Sequence, residues 1–215
     1  MQNKTVLPSV LLRLLAGTVP FTIVSNNCWG AHVYKALDIA YRTPFVGLFV
    51  PPYSFIVLLR QFDHYMKSPL TFVGGSLYPH INAWRLREGL NYPIALLGDE
   101  IEINFQHYKN AAEAEEKWTR RCARMVTNPA RQYFKFDDRE GATAEDIAAF
   151  AALDFPRKVC FTARPYSVHT VLIPSAKGDE HVADGASLAR ISPRYFNTLR
   201  WISSLPNFMP LPALL

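Results

Sequence analysis

The sequence predicts a single α/β domain of three layers with a mixed or mostly parallel central sheet. Short apolar runs alternate with amphipathic segments along the chain, which is typical of strands followed by helices. A length of 215 residues supports one sizeable core, and 49% hydrophobic with 19% charged residues is a globular composition. We therefore expect one domain over residues 20–203, an N-terminal extension at 1–19 and an apolar, proline-containing tail at 204–215.

Seven short segments are predicted as strands because they are apolar or alternate in polarity. They are residues 21–24, 43–49, 70–73, 93–97, 100–107, 159–162 and 168–173. In the fifth segment Ile101, Ile103 and Phe105 alternate with polar residues, which indicates a half-buried strand. The same alternation predicts that His107 lies on the buried face at the carboxyl end of this strand, where open α/β sheets bind ligands.

Five segments have the pattern of helices, and most of them follow a predicted strand. They are residues 29–37, 53–66 and 111–126, a helix that starts at Thr143, and a short one at 193–203. Thr143 and Asp146 have the spacing of a capping box, in which each residue satisfies a backbone N–H group of the other.

The chain ends are apolar but too short to cross a membrane, which takes about 20 predominantly apolar residues. Residues 10–16 are interrupted by Arg13 and preceded by Lys4 alone, a poor signal peptide. Two interpretations stay open for this segment: a helix docked on the core, or an amphipathic helix on the surface of the inner membrane.

The cysteine content and the net charge limit the cellular location and the partners that we expect. Cys28, Cys122 and Cys160 are odd in number and widely spaced, which argues against a disulfide framework or a zinc site and favours the cytoplasm. The net charge of +5 favours an anionic or sugar-containing small molecule. No basic arm or RNA-binding motif is present, so no nucleic-acid partner is expected. No metal site is predicted, and no motif identifies a cofactor.

Five ordered blocks carry a resemblance to a known family. They are SNNCWG, YRTPFVGLF, LLGDEIEINFQHYKNAAEAEEKWTRRCARM, KFDDREGATAEDI and FPRKVCFTARPY. Together they resemble a bacterial family of unknown function whose members are commonly labelled exopolysaccharide biosynthesis proteins, and they span about residues 20–203. The resemblance implies one α/β domain in the setting of capsule, O-antigen or exopolysaccharide assembly. It implies no established reaction and no catalytic residue.

The turn between the first strand and the first helix is the main candidate site. Cys28 would lie in the first helical turn, where the dipole and free N–H groups lower a thiol pKa. With His107 as base and Asn27 as the orienting group, Cys28 would act as a nucleophile in acyl transfer or ester hydrolysis. The alternative is structural, with a cysteine that packs the helix on the sheet and a core histidine.

The same turn also suits phosphate binding, in which Ser25 and Asn26 would contact the ligand at the helix start. The helix at 111–126 adds a basic stripe, whose members are Lys117, Arg120, Arg121 and Arg124. Such a stripe suits a nucleotide-sugar diphosphate or a lipid-linked pyrophosphate. The alternative is a solvated face paired with Glu113 and Glu116.

Two further loops carry candidate binding groups. Asp137 and Asp138 would hold a divalent cation beside a diphosphate, or else cap the following helix with Arg139 folded back on Asp137. Arg164 and Tyr166 follow a predicted strand and would form one side of a sugar or phosphate site.

These patterns predict a cytoplasmic enzyme of bacterial envelope polysaccharide biosynthesis that uses a cysteine nucleophile for acyl transfer or ester hydrolysis. Two alternatives stay open: a glycosyltransferase that uses a nucleotide-sugar or a lipid-linked pyrophosphate, and a non-catalytic regulator or scaffold of polysaccharide assembly.

Overall fold

The computed structural model describes residues 20–174, 178 and 180–203, which form an α/β fold. The strands are β1 (Thr22–Ser25), β2 (Leu70–Val73), β3 (Ile94–Leu97), β4 (Ile101–Asn104), β5 (Gln132–Asp137), β6 (Lys158–Thr162) and β7 (Val171–Leu172). The α-helices are α1 (Trp29–Leu37), α2 (Pro52–Arg60), α3 (Phe62–Tyr65), α4 (Pro79–Arg87), α5 (Ala111–Cys122), α6 (Ala144–Ala152), α7 (Gly185–Ile191) and α8 (Thr198–Ser203). The predicted extension at 1–19 and the tail at 204–215 lie outside the described residues.

A parallel sheet in the order β1-β5-β6-β7 organises the fold. Alternate residues of its strands enter two apolar clusters, as the period of two requires. On one face Ile23, Tyr133 and Phe161 pack with α1, α7 and α8. On the other, Val24 and Phe134 pack with α2, α5 and α6. Helices thus cover both faces of a parallel sheet, which confirms the predicted α/β class.

A second, antiparallel sheet is formed by β2, β3 and β4. It joins the parallel sheet through the segment that precedes α2. Phe49 exchanges backbone hydrogen bonds with Asn104 of β4, at 3.0 and 2.9 Å, and Val50 donates its N–H to the carbonyl of Asn26 after β1, at 2.8 Å. This connection brings the carboxyl end of β1 close to the small sheet.

Three predicted elements differ in kind from the structure, and the strands predicted at 100–107 and 168–173 are shorter, as β4 and β7. The strand predicted at 43–49 is absent except for the Phe49 bridge, because Val46 bonds back to Pro44 and Gly47 adopts a left-handed conformation with φ of +72°. The helix predicted at 53–66 is divided at Gln61, whose φ of −130° ends α2. The one predicted at 193–203 is replaced by a 3-10 turn at Ser192–Arg194 followed by α8.

Besides the short helix α7, two elements are missing from the prediction. The first is β5, which lies between β1 and β6 and contains the charged residues Lys135 and Asp137. The second is α4, in which only Ile81 is buried, so that its sequence lacks an apolar face. Helix α5 is confirmed but ends at Cys122, and α6 begins with the predicted capping box of Thr143 and Asp146.

Candidate functional site

A cleft of about 560 Å³ lies beyond the carboxyl ends of β1 and β5. Its lining comes from the loops that follow these two strands, from the starts of α1 and α7, from α4, and from the turn after β4. Ligands bind at this edge in open α/β sheets, and the volume lies in the range of about 300–1,000 Å³ typical of small-molecule sites. Four of the six histidines line it, namely His32, His80, His107 and His181.

A buried polar network forms the floor beneath the turn that carries Cys28. The Lys135 ammonium pairs with the Asp137 carboxylate, and neither side chain has any exposed surface. Lys135 Nζ also donates to the side-chain oxygens of Asn26 and Asn27, at 3.1 and 3.0 Å. The two amide nitrogens donate in turn to Asp137, at 2.9 and 2.7 Å. Each asparagine therefore bonds to both members of the ion pair, which gives the buried charges the hydrogen bonds they require.

Electrostatics within this network favour an ionised Asp137. Burial acts to raise the pKa of its carboxyl, but the Lys135 charge and the bonds from Asn26 and Asn27 outweigh burial and hold the pKa below its ordinary value. The network fixes the conformation of the 26–27 turn. The cleft itself is reached only by Asn27, whose Oδ1 also accepts the N–H of Trp29 at 3.2 Å.

Cys28 is half-buried in the cleft at the start of α1. Its thiol donates to the carbonyl of Leu48 at 3.7 Å. Burial raises the pKa of this thiol, and the bonds to the backbone at Gly47 and Leu48 and the charge of Lys135 reverse only part of the rise. The expectation of a lowered pKa is therefore wrong, because burial outweighs the bonds and the charge that act to lower it.

His107 also lines the cleft, but not for the reason predicted. Strand β4 ends at Asn104, three residues earlier, and belongs to the antiparallel sheet, so His107 lies exposed in a turn and not on a buried face. Its N–H donates to the carbonyl of Gly47 at 3.0 Å, next to the Leu48 carbonyl that receives the Cys28 thiol. Within the described ranges, no hydrogen bond joins the Cys28 and His107 side chains.

The loop after β5 contributes Arg139 and Glu140 to the cleft. Glu140 adopts φ of +60° and is followed by Gly141 at +83°, an uncommon backbone for a residue with a side chain. Arg139 Nε donates to Glu140 Oε1 at 3.1 Å, and its NH1 group donates to the carbonyl of Val182 at 3.1 Å. Burial raises the pKa of Glu140, and the Arg139 charge offsets only part of that effect.

The starts of α1 and α7 meet at the cleft. A Cβ atom at Gly185 would lie 2.8 Å from the backbone nitrogen of Trp29, so glycine is required there. Asp184 precedes it and caps α7 by accepting two backbone N–H groups at 3.0 Å. His32, one turn into α1, has a lowered pKa because of burial and the nearby Lys35 charge.

Helix α4 and the segment before α2 supply the apolar part of the lining, namely Phe49, Ile81 and Trp84. The loop that precedes α4 is held by Glu102, a buried carboxylate of β4. Its oxygens accept the hydroxyl of Ser76 and the N–H of Leu77, both at 2.6 Å. This connection fixes α4 to the small sheet and so positions His80 and Trp84.

Several predicted site residues lie outside the cleft. Ser25 and Asn26 are buried beneath it. Asp138 does not line the cleft; its oxygens accept the N–H groups of Ala163 and Val182 at 2.7 and 2.8 Å. Arg164 donates to the hydroxyl of Tyr166 at 3.2 Å, and neither residue lines the cleft.

The basic stripe of α5 is also separate from the cleft. Arg120 pairs with Glu116 at 2.9 Å, and Lys117 pairs with Glu113, which is the predicted solvated alternative. Arg121 donates to the hydroxyl of Tyr108 at 2.5 Å, and its guanidinium lies 5.3 Å from the ring centre of Tyr41. Arg124 is exposed. None of the stripe's members lines the cleft.

Sequence reasoning missed His32, His80, His181 and Glu140, because each lies in a different segment. One local signal was available for Glu140: the sequence Asp-Arg-Glu-Gly after an apolar run is typical of a turn that exposes its side chains. In the described ranges, no group of three His, Cys, Asp or Glu side chains is arranged to hold a metal ion. The helices found there are all too short or too polar to cross a membrane.

Two comparisons with known proteins bear on this cleft. Residues 10–205 match the family described as "Domain of unknown function (DUF1919)". A Haemophilus influenzae protein named "Uncharacterized protein" is 37% identical over 145 residues, which cover 67% of this chain and 63% of that protein. The chain therefore spans 63% of the length of this relative.

Proposed function

The chain belongs to the DUF1919 family of domains of unknown function, and from this premise we propose that it is an enzyme of bacterial surface polysaccharide biosynthesis. The setting is supported by the resemblance of its five sequence blocks to proteins labelled in that way. We also propose that the protein acts in the cytoplasm, with or without contact to the inner membrane.

The proposed reaction is acyl transfer or ester hydrolysis with Cys28 as nucleophile. The observation that carries it is the presence of Cys28 and His107 in one small-molecule cleft at the carboxyl edge of the parallel sheet. Because burial raises the pKa of its thiol, Cys28 needs a base. His107 is the candidate, since its backbone N–H donates to the carbonyl of Gly47, next to the Leu48 carbonyl that accepts the Cys28 thiol.

The steps balance as follows for an ester substrate. The imidazole of His107 takes the thiol proton as the sulfur forms a bond to the acyl carbon, and the ester C–O bond breaks. The departing alkoxide takes the proton from His107. A hydroxyl acceptor or water then attacks the acyl carbon of the thioester and gives its proton to His107. The C–S bond breaks, and the departing Cys28 thiolate takes that proton from His107.

Glycosyl transfer is the second candidate, and one observation favours it. Glu140 lies in the cleft with a raised pKa beside Arg139, which suits a carboxyl group that transfers protons without a cysteine. A nucleotide-sugar or a lipid-linked pyrophosphate would be the donor.

The deciding experiment uses a bacterium whose surface glycan depends on this protein. Cys28→Ser and His107→Ala should each abolish the glycan modification while protein abundance is retained, and the double variant should be no worse than either, because groups that act as a unit are non-additive. Cys122→Ser and His64→Ala, outside the cleft, are the matched controls.

Normal glycan with abundant Cys28→Ser protein would overturn the nucleophile. In that case loss of the glycan in Glu140→Gln alone would support glycosyl transfer. Normal glycan in all three variants would point to a scaffold.

A further inference from the structure

The lining of the cleft combines an apolar patch that contains Trp84 with many polar groups. Trp84 is half-buried and lies beside Phe49 and Ile81. Its ring centre is 6.4 Å from those of Phe49 and Tyr92. The Arg85 guanidinium lies 4.7 Å from the centre of the Tyr92 ring and donates to the Tyr92 carbonyl at 2.9 Å. The indole is therefore held by packing, as an aromatic platform needs to be.

The charges in the described part of the lining do not favour a polyanion. Arg139 is the cation there, and it is already paired with Glu140. Asp184 adds a second carboxylate, which is engaged in capping α7. A diphosphate would need Arg or Lys side chains that are not already paired with carboxylates. The lysine and arginines of the α5 stripe lie outside the cleft.

The remaining polar groups suit a ligand rich in hydroxyls. Asn27 and Gln106 carry amides, and the four histidines carry imidazoles, so the lining offers both hydrogen-bond donors and acceptors. A pyranose ring matches this combination, because it has an apolar C–H face and a rim of hydroxyl groups that donate and accept.

We infer that the cleft binds a neutral pyranose, with the C–H face of the ring on Trp84 and its hydroxyls on the surrounding amides, imidazoles and carboxylates. This inference rests on the proposed function and names the substrate class of the same site: the sugar is the acyl donor, the acyl acceptor or the glycosyl acceptor. Of the anionic or sugar-containing small molecules expected from the sequence, it selects an uncharged sugar at the site of chemistry.

The test follows Trp84 fluorescence in the full chain. The probes are the methyl glycosides of glucose, galactose and N-acetylglucosamine, with sorbitol as a polyol without a ring and inorganic pyrophosphate as the anion. At least one glycoside should change the emission saturably, and the change should vanish in Trp84→Phe and persist in Trp201→Phe, which alters a tryptophan outside the cleft. Sorbitol and pyrophosphate should have no such effect.

Trp84→Ala tests the platform itself by ligand-observed NMR. Loss of the aromatic contact should weaken glycoside binding about tenfold. If this variant melts much earlier than the wild type, Trp84→Leu, which keeps apolar bulk without a flat ring, takes its place. The inference is overturned if no glycoside binds, if the variant binds as tightly as the wild type, or if pyrophosphate alone perturbs Trp84.

The two proposals fail separately. If glycosides bind at Trp84 and Cys28→Ser cells make normal glycan, the nucleophile proposal is excluded and the sugar-site proposal is kept. Loss of glycan in Cys28→Ser cells without glycoside binding would leave the nucleophile and remove the neutral sugar.

Discussion

Lys135 and Asp137 form an ion pair, fully shielded from solvent, in the strand that lies between β1 and β6. Asn26 and Asn27 complete its hydrogen bonding from the neighbouring strand end. The pair stabilises the turn that leads to Cys28, so we expect changes in it to affect both stability and the cleft.

Asp137→Asn should lower the free energy of unfolding by about 3–5 kcal/mol, because it leaves the buried Lys135 charge uncompensated. The double variant Lys135→Met, Asp137→Leu removes both charges and should recover much of that loss. Urea unfolding measures both effects. Lys117→Met breaks the partly exposed pair with Glu113 and should cost less than about 1 kcal/mol. Equal losses for Asp137→Asn and Lys117→Met would contradict the assignment.

Acid should remove the contribution of Asp137 to the free energy of unfolding. Its folded pKa lies below its ordinary value, so its contribution is complete above the unfolded pKa of about 3.9 and is lost as pH falls through the folded value. The melting temperature of the wild type should therefore fall below about pH 4 more steeply than that of the Lys135→Met, Asp137→Leu variant. Parallel curves would show that Asp137 is not held ionised by the fold.

The cysteines should react slowly and in a defined order. Burial raises the pKa of all three thiols, to about 12 for Cys122, and Cys28 is the one that opens into the cleft. Iodoacetamide should therefore label Cys28 before Cys122 and Cys160, with a rate midpoint above the value of about 8.5 for free cysteine. Mass spectrometry over a pH series measures this, with unfolded protein as the control. A rate midpoint below that of free cysteine would instead support a lowered pKa for Cys28, as the helix-start argument predicts.

Arg121 in α5 and Arg124 just after this helix should respond differently to the same substitution. Arg121→Ala loses the bond to the Tyr108 hydroxyl and the contact with Tyr41, and should cost about 1–2 kcal/mol. Arg124→Ala removes the same charge from an exposed position and should change stability by less than about 0.5 kcal/mol. Thermal unfolding compares them. If both lower the melting temperature equally, net charge and not packing determines the effect.

Local signals predicted the parts of the fold that local chemistry determines. Helix α1 and strand β2 have the predicted bounds, and the capping box of Thr143 starts α6, because periodicity and caps act within a few residues. Strand β5 was missed since Lys135 and Asp137 are tolerated in a core only with Asn26 and Asn27, more than a hundred positions away. No window of sequence contains all four.

The sequence also predicted a part of the candidate site. Asn27, Cys28, His107 and Arg139 line the cleft, while Glu140 and three further histidines were not singled out. The helix-start argument for Cys28 gave the wrong direction of the pKa shift, because the degree of burial depends on the segment at 47–48, which packs against the thiol from elsewhere in the chain.

The order of the parallel sheet also affects how the chain folds. Strands β3 and β4 are joined by a short turn and pair as an antiparallel hairpin, whereas Thr22 of β1 is in register with Gln132 of β5. Pairing at such separation carries a loop-closure cost and is slow compared with hairpin formation. In pulsed hydrogen exchange, amides of β3 should therefore gain protection before those of β1. During synthesis β1 leaves the ribosome well before β5 is made, so this apolar strand stays unpaired for that interval and is open to aggregation.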